Sequence, residues 1–404
     1  MTRKICPLVP LLAGVLVLVP FAAGAADAPG QHFDVQLSSL PAPHATPAVD
    51  NSSVTIPRPA NALPQAPQGF SVSVFAANLS KPRFIAVAPN GDVFVSEPDF
   101  GKITVLAERH GTLRRATFAE GFAQPHGLAF HDGALYVADT TAVWKLGYKD
   151  GAFKAGRKTR ISTGSFGPPG GHFTRDIVFG PDGTLYLGIG SHENVGEDAL
   201  PRAAVSIVGP DGSLTPFATG TRNPVGLAFY PGSNDLWITV NERDGLGDNL
   251  PPDYLTHIAK GDFLGWPYAY IGPHPDPDFG TKRPDLVART RTPDLLFQAH
   301  SAPLGLVFYE EDQFPAEYKG SAFVALHGSW NRANPTGYKV VRVKFQDGKP
   351  VGGYDDFLTG FRVGDASPAQ VWGRPVGLAI AKDGSLLVTD DTAKVIWRVA
   401  YKGK

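Results

Sequence analysis

The sequence predicts an all-β fold: a six-bladed β-propeller of four-stranded antiparallel blades, closed by pairing of its N- and C-terminal strands. Three observations lead to this fold class: a hairpin repeat that occurs six times, a composition rich in turn residues, and the lack of any long amphipathic helical pattern. The 404 residues include 46 glycines and 37 prolines, and only 19% are charged. This composition favours many short strands joined by tight turns.

The repeat consists of an apolar strand, a turn and a second apolar strand. Asn-Gly or Asp-Gly, dipeptides that favour two-residue hairpin turns, occupy the turn in four of the six copies. Strand-like segments such as FATGTRNP from Phe217 and VWKLGY from Val143 precede or follow most hairpins. The repeating unit is therefore a four-stranded blade. Its copies begin at Pro82, Pro125, Thr174, Pro224, Pro303 and Pro375.

The two ends of the repeat region complement each other. The sixth hairpin is followed by the single strand VIWRVAY from Val395, and the first is preceded by FSVSVFAANLSKP from Phe70, which has no hairpin of its own. We expect these strands to pair and complete the last blade, because closure removes exposed sheet edges. The propeller then comprises residues 67–404. A Pro/Ala-rich segment, residues 27–66, precedes it as a flexible or extended lead-in.

The N-terminus has the pattern of a secretory signal peptide. Arg3 and Lys4 precede an apolar run over residues 8–21, and small residues at 23–25 follow it. An uncleaved membrane anchor is the alternative, but the run is short for a bilayer core of roughly 30 Å. We therefore expect residues 1–26 to be removed from a periplasmic or secreted protein that has no stable membrane insertion.

Charge and cysteine content exclude several classes of function. The formal net charge is −1, and no run of Lys or Arg stands out, so nucleic acid is not an expected partner. The single cysteine, Cys6, lies within the predicted signal peptide. The mature chain would have neither disulfides nor a catalytic thiol. We expect it to be a monomer.

In a propeller the first strand of every blade lines the central channel, so residues just before these strands gather at one mouth. Basic, imidazole and amide side chains dominate these positions, namely Arg83, Gln124, His126, His172, Arg175, Arg222, Asn223, His300 and Arg374. The loops after the second strands return to the same face and add Glu97, Asp99, Asp139, Glu242, Asp244, His327, Trp330, Arg332, Asp390 and Asp391. Solvation of a polar channel mouth explains any one of them equally well. The whole set, however, suits an anionic ligand.

Four segments carry a resemblance to a known family. They are GGHFTRDIVFGPDGTLYLGIGS, RNPVGLAFYPGSNDLWITVNERDGLGDNLPPDYL, GDFLGWPYAYIG and HGSWNRANPTGYKVV. Together they resemble the soluble sugar dehydrogenases that use pyrroloquinoline quinone (PQQ), in particular the L-sorbosone dehydrogenase-like branch. The resemblance extends over essentially the whole predicted propeller.

The resemblance implies a role for individual residues. His172 would be the general base that takes the proton of the substrate hydroxyl, a task that suits an imidazole. Arg222 and Asn223 match the family's Arg-Asn pair, which would bind PQQ and stabilise negative charge on the quinone oxygen; capping of the turn before Pro224 is the alternative. Further cofactor contacts would come from Gln124, His126, His300, Arg332 and Arg374.

The resemblance also implies a calcium ion, and the sequence itself offers an aromatic residue with polar neighbours, Trp330, as a candidate for contact with a sugar. Backbone carbonyls of Arg243, Asp244 and Gly245 would help to hold the calcium, since Ca²⁺ prefers oxygen ligands. A solvated loop or a purely structural calcium site over residues 241–253 is the alternative. Trp330 would face the substrate, although aromatic residues in propellers also pack between blades.

The implied function is that of an exported quinoprotein oxidoreductase. It would transfer a hydride from a sugar, a sugar-derived aldehyde or another alcohol to PQQ with calcium, and then pass electrons to an external acceptor. A calcium-dependent propeller lactonase or hydrolase is one alternative, but it calls for carboxylates where this chain has Arg and His. A propeller that binds carbohydrate or protein without catalysis is the other.

Overall fold

The computed structural model of the chain describes residues 27–403, and its regular structure is almost entirely β-strand. The predicted signal peptide, residues 1–26, lies outside the described residues. Within them, no helix is long and apolar enough to cross a membrane. The helical elements are one α-helix, Pro284–Ala288, and three 3-10 turns, Leu37–Ser39, Pro98–Phe100 and Ala316–Tyr318. The prediction of an all-β fold is confirmed.

Six antiparallel sheets of four or five strands contain most of the strands, and each predicted hairpin lies in a different sheet. Sheet 1 contains Ile85–Val87, Val93–Glu97, Lys102–Arg109 and Thr112–Glu120. Sheet 2 contains Leu128–His131, Ala134–Ala138, Val143–Gly147 and Lys158–Arg160. Sheet 3 contains Arg175–Phe179, Leu185–Ile189, Ala204–Val208 and Leu214–Thr219.

The remaining three sheets continue the pattern. Sheet 4 contains Asn223–Phe229, Leu236–Asn241, Tyr254–Ile258 and Leu295–Leu296. Sheet 5 contains Pro303–Phe308, Ala322–Leu326, Lys339–Val343, Tyr354–Leu358 and the added strand His32–Phe33. Sheet 6 contains Pro375–Ile380, Leu386–Asp390, Val395–Tyr401 and the strand Phe70–Ala76, which pairs antiparallel with Val395–Tyr401.

The first strands of the six sheets are neighbours in space. Each contacts the first strand of the sheet before it and of the sheet after it, and the first strand of sheet 6 contacts that of sheet 1. Hydroxyl groups on second strands cross-link the neighbours: Thr239 donates to Leu304 O at 2.8 Å, and Thr389 donates to Arg83 O. A Cβ at Gly226 would lie 2.3 Å from Leu304 O, so this close backbone approach requires glycine.

An apolar cluster lies where the first strands meet. Phe84, Val225, Leu304 and Val376 come from sheets 1, 4, 5 and 6, and each is buried. Polar residues that precede the same strands therefore lie to one side of this cluster, which we call the apolar plug. This arrangement positions the candidate site.

The lead-in, residues 27–66, is extended and pairs with the rest of the chain at three places, one of which is a single antiparallel bridge between Gln65 and Thr359. His32–Phe33 pairs with Tyr354 and Asp355, and Val54–Thr55 runs parallel to Gln370–Val371. The latter belongs to a small sheet with Arg362–Val363; two further short hairpins are Ala269–Tyr270 with His274–Pro275, and Phe345–Gln346 with Lys349–Pro350. The lead-in thus runs along the outside of the sheets.

Candidate active site

A cavity of about 390 Å³ lies above the apolar plug, within the size range of small-molecule sites. Seven of the twelve residues with a predicted role in catalysis or binding line it: His172, Arg222, Asn223, Asp244, His300, Trp330 and Arg374. Five others do not, namely Gln124, His126, Arg243, Gly245 and Arg332. Sheets 3, 4, 5 and 6 supply the seven, which confirms that residues far apart in sequence meet here. We call this space the catalytic cavity.

The protonation of His172 follows from its hydrogen bonds. Its Nδ1 lies 2.9 Å from Ser191 O, and because a carbonyl oxygen only accepts, Nδ1 carries the proton. Nε2 is then unprotonated on the side of the cavity. Burial, together with the positive charge of Arg222, lowers the pKa of His172 to about 3. The imidazole is therefore a neutral base at neutral pH.

Gly190 fixes the spacing between His172 and Asn223. A Cβ at this position would lie 2.6 Å from His172 Cβ and 2.3 Å from Asn223 Oδ1. Asn223 Oδ1 also accepts a hydrogen bond from Thr174 Oγ1 at 3.1 Å. The two predicted site residues are thus held against the second strand of sheet 3.

Arg222 is buried, and its donors are occupied by the protein. Nε donates to Asn194 O at 2.9 Å, Nη1 to Glu242 O at 2.6 Å, and Nη2 to Asp244 Oδ2 at 3.1 Å. Nη1 and Nη2 make further bonds to Asn241 O and Asn194 Oδ1. With these donors engaged, Arg222 contributes to the cavity mainly through its fixed positive charge.

A hydrogen-bonded chain connects the loops of sheets 4 and 5. Asn331 donates through Nδ2 to Asp244 Oδ1 and, at 3.2 Å, to His300 Nδ1. His300 Nε2 donates to Gly247 O at 2.9 Å, so this ring is neutral, and burial lowers its pKa. Sequence reasoning missed Asn331, although it stands next to Trp330 in the quoted motif.

A second charged cluster lies beside the cavity, next to sheets 1 and 6. Asp391 accepts from Arg83 Nη1 at 2.6 Å and from His327 Nε2 at 3.1 Å. Although burial acts in the opposite direction, His327, Arg83 and Arg374 hold the pKa of Asp391 below its ordinary value. Burial and Arg374 lower the pKa of His327 to about 4. Arg374 itself donates to the carbonyls of His327 and Gly328 at 2.9 Å.

Among the described residues, the buried polar atoms that lack a hydrogen-bond partner include atoms of His126 and Glu242. Both ring nitrogens of His126 lack a hydrogen bond, and its ring lies 4.2 Å from that of Phe84. Glu242 Oε1 also lacks one, and burial raises the pKa of this carboxyl to about 7. Asp253, which lines the cavity beside it, has its pKa raised to about 7 by burial as well. Unsatisfied groups of this kind are costly and mark sites where a ligand can bind.

The predicted calcium loop divides between two environments. Asp244 lines the cavity, whereas the Arg243 side chain forms ion pairs with Asp276 and, at 3.5 Å, with Asp278. Asp244 O accepts from Asn194 Nδ2 at 3.1 Å. Among residues 27–403, no group of three or more His, Cys, Asp or Glu side chains is arranged to hold a metal ion.

Two aromatic rings flank the opening of the cavity. Trp330 is 47% exposed and Phe173 is 39% exposed, values that are unusual for such large apolar side chains. Phe173 follows His172 directly, and the guanidinium of Arg83 lies 5.6 Å from its ring. Sequence reasoning selected Trp330 and missed Phe173.

Several polar residues expected at the mouth stabilise loops instead. Asp139 accepts from the backbone N–H groups of Thr141 and Ala142, and Asp390 accepts from those of Arg374 and Ala393. Arg332 donates to Asn249 Oδ1 at 2.6 Å. Gln124 lines two neighbouring pockets.

Comparison with known proteins places the chain in a family. A family model described as TrAA12-like matches residues 64–253 and 282–402. An uncharacterized protein of Borreliella burgdorferi is 30% identical over 354 residues, which cover 83% of this chain and 90% of that protein. The PQQ-dependent pyranose dehydrogenase of Coprinopsis cinerea is 25% identical over 395 residues; they cover 80% of this chain but 53% of the enzyme, so the chain spans about half its length.

A solved structure shows the same fold. The holo form of the PQQ domain of the Coprinopsis cinerea pyranose dehydrogenase superposes with a TM-score of 0.71 at 21% identity, over 86% of this chain and 99% of that domain. The chain thus shares the all-β fold of that domain. The chain belongs to the TrAA12-like family. The resemblance to PQQ-dependent sugar dehydrogenases, drawn from four sequence segments, is confirmed.

Proposed function

We propose that the chain is an exported, monomeric quinoprotein dehydrogenase built on a closed six-bladed propeller. The cyclic contact of the six first strands and the pairing of Phe70–Ala76 with Val395–Tyr401 support the closed propeller. The family membership and the names of the relatives support the redox chemistry. The observation that carries the proposal is a neutral His172, with Nε2 free, in a cavity rich in arginine.

PQQ would supply an acceptor for the hydride when bound. The residues of this chain fit such a ligand, because Arg83, Arg222 and Arg374 line the cavity and PQQ carries three carboxylates. His327 and His300, whose pKa values are lowered by burial, are neutral hydrogen-bonding groups that line the same cavity.

His172 would act on the sugar. Its Nε2 would take the hydroxyl proton while the hydrogen on the same carbon leaves as a hydride, so that an alcohol or hemiacetal becomes a carbonyl. The hydrogen bond from Nδ1 to Ser191 O keeps the ring in the required tautomer. Trp330 and Phe173 would contact the apolar face of the sugar. Electrons would then pass to an external acceptor.

Fewer observations support the proposed calcium ion. Oxygen atoms of the loop after sheet 4 suit Ca²⁺, including the unpartnered Glu242 Oε1 and the backbone carbonyls of Arg243 and Gly245. Such a site would be completed by the carboxylates of the cofactor. Because the pKa of Glu242 is raised to about 7, calcium would bind more tightly as this carboxyl ionises.

The test is titration of metal-stripped protein with PQQ, with and without calcium, followed by dye reduction with aldoses, sorbosone and simple alcohols. We expect calcium-dependent quinone binding and turnover of at least one sugar. Arg374→Gln should weaken quinone binding, whereas Lys349→Gln, on the exposed hairpin, should not. If PQQ does not bind, the dehydrogenase proposal is wrong, and calcium-dependent lactone hydrolysis becomes the next assay.

A further inference from the structure

A second cavity of about 580 Å³ adjoins the catalytic cavity, and both are lined by Gly171 and Phe173. Arg160, Arg175 and Arg202 line it, together with hydroxyl and amide groups and the glycine-rich loop 164–171. Among the described residues, no Asp or Glu lines this cavity. We call it the arginine cavity.

The three guanidinium groups are held by neutral acceptors. Arg175 donates through Nη1 to the carbonyls of His172 and Thr174, both at 2.7 Å. Arg160 donates to Ser162 O at 3.0 Å and to Gly164 O at 3.1 Å, and Arg202 donates to Gly170 O at 2.9 Å. These bonds orient the cations without neutralising them. The cavity therefore keeps a concentrated positive charge.

Arg175 is the group that points to a ligand. It is 1% exposed, and its Nε has no hydrogen-bond partner among residues 27–403. Burial, reinforced by the positive charge of Arg202, lowers its pKa to about 9. A buried guanidinium with an unpartnered donor is costly, and a carboxylate or phosphate would lower that cost while matching its planar donors.

The arginine cavity is also connected to the catalytic base. Arg175 and Arg202 both donate to the carbonyl oxygen of His172, at 2.7 and 3.4 Å. Arg202 also donates to Ser191 O, the acceptor of His172 Nδ1. A ligand that contacts these arginines would lie directly behind the His172 backbone.

We propose that the arginine cavity binds the carboxylate or phosphate group of an acidic sugar, whose hydroxyl is oxidised in the adjoining catalytic cavity. The shared residues Gly171 and Phe173 make the two cavities neighbours along one face. The oxidation half of this statement rests on the proposed function. The binding half does not, because it requires neither quinone nor metal.

Ser165 offers a conservative test. It is exposed and lines the arginine cavity, and its Oγ accepts a hydrogen bond from Gly167 N at 3.1 Å. Asp and Asn side chains accept the same type of bond, so either should preserve the turn. Ser165→Asp adds a negative charge to the cavity, and Ser165→Asn is its neutral, isosteric control.

The first experiment is calorimetric titration of quinone-free protein with glucuronate, glucose 6-phosphate and glucose at two salt concentrations. We expect at least one charged sugar to bind, more weakly at high salt, and glucose not to bind. Ser165→Asp should weaken that binding at least tenfold, and Ser165→Asn should not. Whichever charged sugar binds more tightly, glucuronate or glucose 6-phosphate, identifies carboxylate or phosphate as the preferred group. No binding, or binding that Ser165→Asp leaves unchanged, overturns the proposal.

The second experiment uses the protein loaded with PQQ and calcium. The ratio of kcat/KM for the charged sugar to that for glucose should exceed ten in the parent and in Ser165→Asn, and should fall at least tenfold in Ser165→Asp. A charged sugar that binds but is oxidised no better than glucose overturns the substrate assignment. If the protein fails to take up quinone, only the proposed function is wrong, since the calorimetric result stands by itself.

Discussion

One position of the repeat divides the molecule into two halves. The residue that follows the first residue of each repeat is Arg83, His126 or Arg175 in sheets 1 to 3, and Val225, Leu304 or Val376 in sheets 4 to 6. All six are buried, with exposures of 8% or less. The same place in the same fold is therefore polar on one side of the axis and apolar on the other.

In sheets 1 to 3, the polar half, the buried side chains at this position lower the stability of the fold. Nε of Arg83, both ring nitrogens of His126 and Nε of Arg175 have no hydrogen-bond partner among the described residues, whereas Val225, Leu304 and Val376 complete an apolar cluster. Burying a polar group without a partner opposes folding, and burying an apolar side chain favours it. At this one position, therefore, sheets 1 to 3 bury polar groups that oppose folding, and sheets 4 to 6 bury apolar side chains that favour it.

The largest expected effect is on turnover. His172→Ala removes the base between the two cavities, and a positioned general base typically contributes about 10²–10⁴-fold to rate. We expect kcat to fall by that factor, with quinone affinity and melting temperature nearly unchanged. Replacing the exposed turn residue His110 by Asn is the matched control. Undiminished turnover in His172→Ala would remove this residue from the mechanism.

The pH dependence tests the same residue without a mutation. Burial and Arg222 lower the pKa of His172 to about 3, so the ring stays neutral as the pH falls from 8 to 5. The acid limb of kcat/KM that reports this base should therefore lie well below the ordinary histidine value of about 6.5. A limb near 6.5 that disappears in His172→Ala would show that the base is not shielded in this way.

Substitutions in the apolar plug of sheets 4 to 6 should affect stability rather than turnover. Val376 is fully buried in the plug, so Val376→Ala should lower the free energy of unfolding by about 1–3 kcal/mol, because it leaves a cavity. Urea denaturation measures this change, and the 40% exposed Val351 provides the control Val351→Ala. KM should change less than twofold. A large change in KM with little loss of stability would contradict the assignment of a stabilising role to this apolar cluster.

Local pattern explains what the sequence could predict. Strand alternation and Asn-Gly or Asp-Gly turns are local, so the hairpins and the sheet assignment were accessible, and repeat geometry then placed His172, Arg222 and Asn223 together. The residue with which a loop side chain pairs, however, depends on loops that are distant in sequence, and no local pattern predicts it. Arg243 turns to Asp276, and Arg332 turns to Asn249, because loops from elsewhere in the chain present carboxylate or amide groups there. The capping role of Asp139 was equally hidden.

A smaller effect of opposite sign is expected at His126. Its unpartnered ring lies against Phe84, so His126→Leu replaces a buried polar group by an apolar one of similar size. We expect the free energy of unfolding to rise by about 1–2 kcal/mol in the quinone-free protein. Urea denaturation of the two proteins measures it. A destabilised variant would mean that the imidazole has a favourable partner, and the cost assigned to the polar half would be wrong.

The smallest expected change is in KM, and it concerns a loop of sheet 5 that reaches the catalytic cavity. The lead-in holds this loop through Asn51. Asn51 donates through its backbone N–H to Trp330 O at 2.6 Å and through Nδ2 to Arg332 O at 2.8 Å. Asn51→Ala keeps the backbone bond and loses the Nδ2 bonds to Arg332 O, Ala333 O and Ser367 Oγ. This loss should loosen Trp330 and raise KM for sugars about two- to fivefold, equivalent to about 0.5–1 kcal/mol. Ser53→Ala is the control. An unchanged KM would show that Trp330 is held in place without the lead-in.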